Sequence, residues 1–276
     1  MTSAYGSATN GSTTTSSATT SSATTSRWFL GDVTSATQAI RLICLPHAGG
    51  CASSYRRWLG GSDPEIGVVA VQLPGRETRI DEPPITRITE LVAQLSDAVQ
   101  TVVVQAVAFP RIVLFGHSMG ALIATELCRS LEGAGCPVEA LVVSGHAGPE
   151  HRSSAAAAYL DDDALVDQMA SLDASVGERV ADPALRELFL PLVRADIALS
   201  ASDLGREPVA APITVIAGDG DYSLAGRDLS SWAGLTRSSC RVHRLPGDHF
   251  YLAHSGAAVL RIVRAAITPG GQTGVR

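Results

Sequence analysis

The chain has 276 residues, 45% of them hydrophobic and 5% aromatic, and its 27 acidic and 21 basic side chains leave a formal net charge of -6. That length supports one medium-sized core, and no run approaches the roughly 18 apolar residues a membrane-spanning helix needs. The mild acidity, with every basic residue an arginine, lacks the basic stripe expected of a nucleic-acid-binding protein.

Residues Met1 to Ser26 are nearly all Ser, Thr, Ala and Gly and carry no charge. Such a segment buries too little apolar surface to offset the chain entropy it would lose, so a disordered tail is expected over 1–26. It also lacks the charged start and apolar stretch of a secretory signal, which points to the cytoplasm. The five cysteines, Cys44, Cys51, Cys128, Cys136 and Cys240, are odd in number and lack metal-ligand spacing, so reduced thiols and no metal are expected.

Ile40 to Leu45 is an apolar run ending in Pro46-His47-Ala48-Gly49-Gly50, and Ile66 to Leu73 is a second, closed by Pro74-Gly75. Between them Ser53 to Leu59 has a helix-like pattern, giving strand, helix, strand. Apolar residues at 88, 91, 92, 95, 99 and 102 predict an amphipathic helix over Ile88 to Val104. Ile112 to Phe115 is a third strand, leading into Gly116-His117-Ser118-Met119-Gly120 and a helix marked by Leu122, Ile123, Leu127 and Leu131. Val138 to Val143, Pro212 to Ala217 and Cys240 to Leu245 are further strands, and a helix from about Ala253 to Ile267 closes the chain. Strands that are apolar almost throughout, separated by helices, predict a mostly parallel sheet covered on both faces. From about 149 to 203 there are only helical stripes, opened by Asp161-Asp162-Asp163 at a suitable helix start. The stripes suit a lid over the site and a core-covering layer equally well.

The strand, sharp turn and helix around Ser118 form the setting of a nucleophile elbow, where flanking glycines let strand and helix approach and the serine hydroxyl points outward. Its partners must come from other loops on the carboxyl edge of the sheet. Of seven histidines, His249 alone sits in a glycine-containing loop after the last strand, where a base can reach over that edge. Asp219 and Asp221 share the preceding loop, and Asp221 is favoured because it lies further past the strand end. A buried carboxylate there would fix the imidazole tautomer. The backbone N–H groups of Met119 and of Ala48 are the candidate oxyanion donors. Gly218-x-Gly220 lacks the rest of a dinucleotide fingerprint, and neither a phosphate loop nor a His-Glu-x-x-His helix occurs. The residues alone leave open a carboxylesterase or peptidase of this fold, or a hydrolase-fold binding protein that no longer reacts.

Five segments carry a resemblance: Leu45-Pro46-His47-Ala48-Gly49-Gly50, Gln72-Leu73-Pro74-Gly75-Arg76-Glu77, Phe115 to Ala121, Pro191-Leu192-Val193-Arg194-Ala195-Asp196, and Pro246 to Leu252. Across about 40 to 265 the chain resembles the type II thioesterases that accompany polyketide and nonribosomal peptide synthases. The resemblance implies an α/β-hydrolase domain over 27–270 with a helical lid insertion at about 149–203 and a flexible end at 271–276. It implies hydrolysis of acyl groups from the phosphopantetheine arm of acyl or peptidyl carrier proteins through an acyl-enzyme, by a monomer without bound cofactor, nucleic acid or membrane. The acid of the family's Gly-Asp-x-Asp segment falls on Asp221. The chain departs from the family at Tyr222, where Pro is usual, at 174–176, where a glycine-rich turn is usual, and at His146, where Arg is common. Arg56, Arg57, Arg76 and Arg79 are expected on a solvated surface, with an acidic carrier protein as an alternative contact.

Overall fold

The computed structural model describes residues 27–268 except 34, 36, 62, 106–110, 152–158 and 173–179. The expected disordered tail, the C-terminal segment and the 174–176 turn lie outside the described residues. In chain order the strands are β1 (Phe29–Leu30), β2 (Ile40–Leu45), β3 (Ile66–Val71), β4 (Arg111–His117), β5 (Val138–Ser144), β6 (Ile213–Gly218) and β7 (Cys240–Leu245). The helices are α1 (Ile88–Gln105), α2 (Met119–Gly133), α3 (Asp162–Leu172), α4 (Pro183–Ser200) and α5 (Leu252–Ala266). The seven strands form one sheet in the order β1-β3-β2-β4-β5-β6-β7. Only the β1–β3 pairing is antiparallel.

Alternation along the strands explains why both faces are covered. In β4, Ile112 and Leu114 enter one core with α1 and α2, whereas Val113 and Phe115 enter the other with Tyr55, Trp58, Val259 and Val263. A strand buried on both sides favours apolar residues almost throughout, which is how β2, β3 and β4 read in sequence apart from Arg41 in β2 and Arg111 and His117 at the ends of β4. The last strand differs: β7 is at the edge and carries Arg241, His243 and Arg244, charged or polar residues that discourage pairing with another chain.

Two sequence expectations change. The helix expected over Ser53 to Leu59 is a short 3-10 turn at Ala52–Tyr55, with i→i+3 bonds continuing to Trp58 and Gly61. Gly60 and Gly61 end the segment too soon for a stable α-helix, and Tyr55 and Trp58 still pack in the core on the three-residue spacing. The second change is β1, which sequence periodicity missed because two residues carry no period. Trp28 beside it is buried under the Arg79 guanidinium, 4.0 Å from the ring centroid.

The helices α3 and α4 follow β5 and share a small apolar cluster of their own, Leu165, Met169, Val180, Leu190, Val193 and Ile197. Asp161 caps α3 by accepting from the Ala164 N–H, and Asp182 caps α4 by accepting from Ala184. Salt bridges Asp163–Arg186 and Asp162–Arg194 join the two helices, but at the surface these add little. Among the described residues no helix is long and apolar enough to cross a membrane, and all five cysteines are unpaired thiols.

His117 ends β4 fully buried, and burial, reinforced by His249 and His47 nearby, holds its pKa well below the usual imidazole value. The unfolded chain protonates this group below about pH 6.5 and the folded chain does not, so stability falls as pH drops through that window. The free energy of unfolding measured in urea is expected to decline between pH 7.5 and 5.5, by up to about 1.4 kcal/mol per pH unit for this histidine. His117→Asn should reduce that slope, leaving the part contributed by the buried His146, whatever it does to stability at pH 7.5.

Candidate active site

Ser118 stands between β4 and α2 with φ 55° and ψ -117°, one of two non-glycine residues at positive φ among those described. Holding a residue there costs on the order of 1–3 kcal/mol, which the surroundings must supply. They do so through the Ser118 N–H, which donates to Ser144 at 2.8 Å, and the Ser118 carbonyl, which accepts from Ala121 at 2.9 Å. The hydroxyl makes no capping bond to its own helix, and the residue is partly exposed. The glycines on either side are required by contact: a Cβ on Gly116 would lie 2.0 Å from the Gly120 carbonyl oxygen, and one on Gly120 would lie 2.2 Å from that of Leu45. The second contact also shows that the first turn of α2, beginning at Met119, sits against the end of β2, just before Ala48.

Strand pairing brings the other two residues together. β6 and β7 are parallel neighbours with Gly218 opposite Leu245, and the loops beyond them continue to bond, Asp219 N–H to Leu245 and Gly220 N–H to Gly247, both at 2.8 Å. Gly218 admits this approach because a Cβ there would strike the Asp248 and Gly247 carbonyl oxygens. Asp221 and His249 consequently meet, with Oδ2 2.8 Å from Nδ1 and both residues buried. Asp219 is exposed at the turn and is not part of the pair. The far nitrogen of His249, Nε2, is buried without a hydrogen-bond partner.

The Asp221 carboxyl has a pKa below the usual carboxylate value. Burial works to raise it, but the bond and charge of His249 and two bonds from Ser223 outweigh that effect. Ser223 donates to Oδ1 from its hydroxyl at 2.5 Å and from its N–H at 3.1 Å. Sequence reading passed over Ser223, and only its i+2 spacing from an aspartate, the Asx-turn pattern, could have flagged it.

Behind the imidazole lies a second polar chain. His117 Nδ1 is 2.9 Å from the Ser144 hydroxyl, which is 2.6 Å from the Tyr251 hydroxyl. These bonds tie the ends of β4 and β5 to the entry of α5, and the His117 ring lies 5.0 Å from that of His249. His146, where arginine is common among the resembled proteins, is pushed down to about 4, by burial above all, so it is uncharged at neutral pH. Tyr222, in place of the usual proline, is half exposed.

Two arginines are not where the sequence suggested. Arg76 and Arg79 are buried, Arg79 between Glu82, the Gln72 carbonyl and Trp28, and Arg76 in an ion pair with Asp196. Both have hydrogen-bond partners that remove the need for water, which composition alone cannot reveal. Arg56 and Arg57 are exposed. Among the described residues no group of three or more His, Cys, Asp or Glu side chains could hold a metal ion.

The family profile for the thioesterase domain matches residues 40–267. The gramicidin S biosynthesis protein GrsT of Aneurinibacillus migulanus is 32% identical over 234 residues, 83% of this chain and 90% of that protein. The thioesterase PikA5 of Streptomyces venezuelae is 32% identical over 217 residues, covering 78% of this chain and 76% of its own. Among solved structures, the type II thioesterase BorB from the borrelidin biosynthetic cluster superposes with a TM-score of 0.77 at 32% identity, over 88% of this chain and 98% of that one. With the parallel sheet and strand-turn-helix at Ser118, these likenesses establish that the chain belongs to the thioesterase family and shares the α/β-hydrolase fold of its type II members.

Proposed function

We propose that this thioesterase clears acyl groups from the phosphopantetheine arm of acyl or peptidyl carrier proteins serving a polyketide or nonribosomal peptide synthase, with Ser118 as nucleophile, His249 as base and Asp221 as its orienting acid. The observation that carries the reading is the buried 2.8 Å pair of His249 and Asp221, whose unused Nε2 belongs to the same sheet edge as the strained serine. The likeness to the biosynthetic thioesterases supports the substrate class.

Ser118 Oγ attacks the thioester carbonyl carbon while Nε2 of His249 takes the hydroxyl proton, and Asp221 stabilises the imidazolium that forms. The oxyanion is received by the N–H groups of Met119 and Ala48, each such donor being worth about 3 kcal/mol in the barrier. Collapse expels the pantetheine sulfur, which takes the proton from His249, leaving the acyl group on Ser118. A water deprotonated by His249 then attacks the acyl-enzyme carbonyl, and the serine leaves with the proton as the acid is released. The site calls for no cofactor, and the substrate brings its own pantetheine. The insertion around α3 and α4 is read as a lid receiving the acyl chain. The unpaired thiols suit a reducing cytoplasm, and a monomer is sufficient because every proposed group comes from one chain.

Ser118→Ala should abolish turnover and leave the thermal midpoint within a few degrees of the parent. Asp221→Asn should lower kcat by about 10⁴-fold, because the amide favours the wrong imidazole tautomer, whereas Asp219→Asn should remain near the parent rate; the reverse ranking would assign the acid to Asp219. Across a panel of acylated carrier proteins and a matched oxygen ester of the same acyl group, kcat/KM should favour the carrier thioesters. A clear preference for the oxygen ester would replace the proposal with a general carboxylesterase.

A further inference from the structure

The proposed catalytic groups account for Ser118, Asp221 and His249 but not for the most deeply buried arginine–carboxylate pair among the described residues. Arg76, in the loop after β3, and Asp196, near the C-terminal end of α4, meet in a two-pronged contact, Nη2 to Oδ1 at 2.8 Å and Nη1 to Oδ2 at 3.0 Å. Their side chains are 6% and 1% exposed. Burying such a pair gains little stability, since losing water costs the two charges about as much as their attraction returns. Its value must be sought in what else it holds.

Apart from Arg76 Nε, which donates to the Pro74 carbonyl at 3.3 Å, the further bonds of the pair reach the loop that follows β2. Asp196 Oδ2 accepts from the Gly49 N–H at 2.7 Å, and Arg76 Nη1 donates to the Gly50 carbonyl at 2.9 Å. Gln72 continues the series: its Oε1 accepts from the Ala52 N–H at 3.3 Å, and its Nε2 donates to the Arg76 carbonyl at 2.8 Å. Side chains from outside the loop thus hold its backbone at 49, 50 and 52, directly after Ala48.

The helix contributes more than one carboxylate. Phe189, Val193 and Asp196 lie on one face of α4 at the i, i+4, i+7 spacing, and all three bear on Gly49. A Cβ there would lie 3.1 Å from the Phe189 ring and 3.3 Å from Val193 Cγ2. Gly49 itself has φ +71°, so neither its conformation nor its surroundings admit a side chain easily. Glu77, next to Arg76, is the other non-glycine residue at positive φ among those described, so the backbone beside Arg76 is also strained.

We infer that Asp196 and Arg76 are positioning residues for the oxyanion site. By gripping the Gly49 N–H and the Gly50 carbonyl they fix the plane and direction of the preceding Ala48 amide, so that the insertion helix α4 sets the geometry of the oxyanion site. This inference rests on the proposed acyl transfer at Ser118. Asp196→Asn preserves shape but removes the charge and turns its N–H₂ toward Arg76 in either orientation, and in one of them toward the Gly49 N–H as well, so the grip is weakened.

The test compares the parent, Asp196→Asn, Arg76→Lys and Val99→Ala, the last loosening the core beneath α1, away from both the clamp and the insertion. Rates on an acyl-carrier thioester are normalised to sites labelled at the end point by a fluorophosphonate, and the inhibition constant of an acyl trifluoromethyl ketone is measured beside them. The hemiketal oxygen of that inhibitor occupies the oxyanion position, so it reports the hole independently of substrate binding. Per labelled site, Asp196→Asn is expected to lower kcat by about 10- to 100-fold with KM within about threefold, and to weaken the ketone by the same factor as kcat. Val99→Ala is expected to leave both quantities near the parent. Should Asp196→Asn yield no labelled protein, Arg76→Lys decides, since lysine keeps the charge but cannot serve the carboxylate and the Gly50 carbonyl together. A folded variant that keeps the parent kcat, or loses kcat without losing ketone affinity, overturns the inference. A Ser118→Ala protein that still turns over would instead overturn the acyl-transfer reading itself.

Discussion

Parallel pairing sends the loops after β2, β4, β6 and β7 to one edge of the sheet, and every contact in the candidate site depends on that shared direction. The His249–Asp221 bond is its most direct product: two strands in register are extended by two more backbone bonds between their loops, after which the side chains need only be long enough to meet. Ser118 comes from the central strand of the same sheet, so its turn is supported from both sides, by the end of β2 through Gly120 and by Ser144 of β5.

Strain and burial are concentrated here because the sheet can support them. Both faces of β4 are packed with aliphatic and aromatic side chains, and burial of that kind contributes on the order of 25 cal/mol per Å² of apolar surface. Against such a core, a serine at positive φ and a neutral buried histidine are modest costs. Each has a visible compensation: hydrogen bonds for the backbone of Ser118, and for Nδ1 of His117 the Ser144 hydroxyl, itself bonded to Tyr251.

The helices after β5 serve in two capacities that sequence could not separate. Their own apolar cluster makes them a unit beside the main cores, while Asp196, Phe189 and Val193 press one face of α4 onto the loop after β2. A layer that only covered the core would have no use for a carboxylate buried to 1%. A mobile flap with no fixed contact would not bury one either.

Much of this was legible from residue order. Hydrophobic runs located β2 through β7 to within a residue or two, the three-and-four spacing located α1, and the turn chemistry around Ser118 marked strand, bend and helix. These signals are local, because periodicity and φ preferences act over a few residues. What went unread was either too short to have a period, as with β1, or settled by a distant partner. Arg76 and Arg79 look like surface residues until Asp196, Gln72, Glu82 and Trp28 are placed around them, and Ser223 looks like an ordinary turn serine until Asp221 is turned toward His249. The chain alone determined which segments are strands and helices and which side chains could carry acyl-transfer chemistry. Only the folded structure decided which of them meet, because Arg76 and Asp196 are 120 residues apart and no local preference records a contact that exists only once the layers have packed.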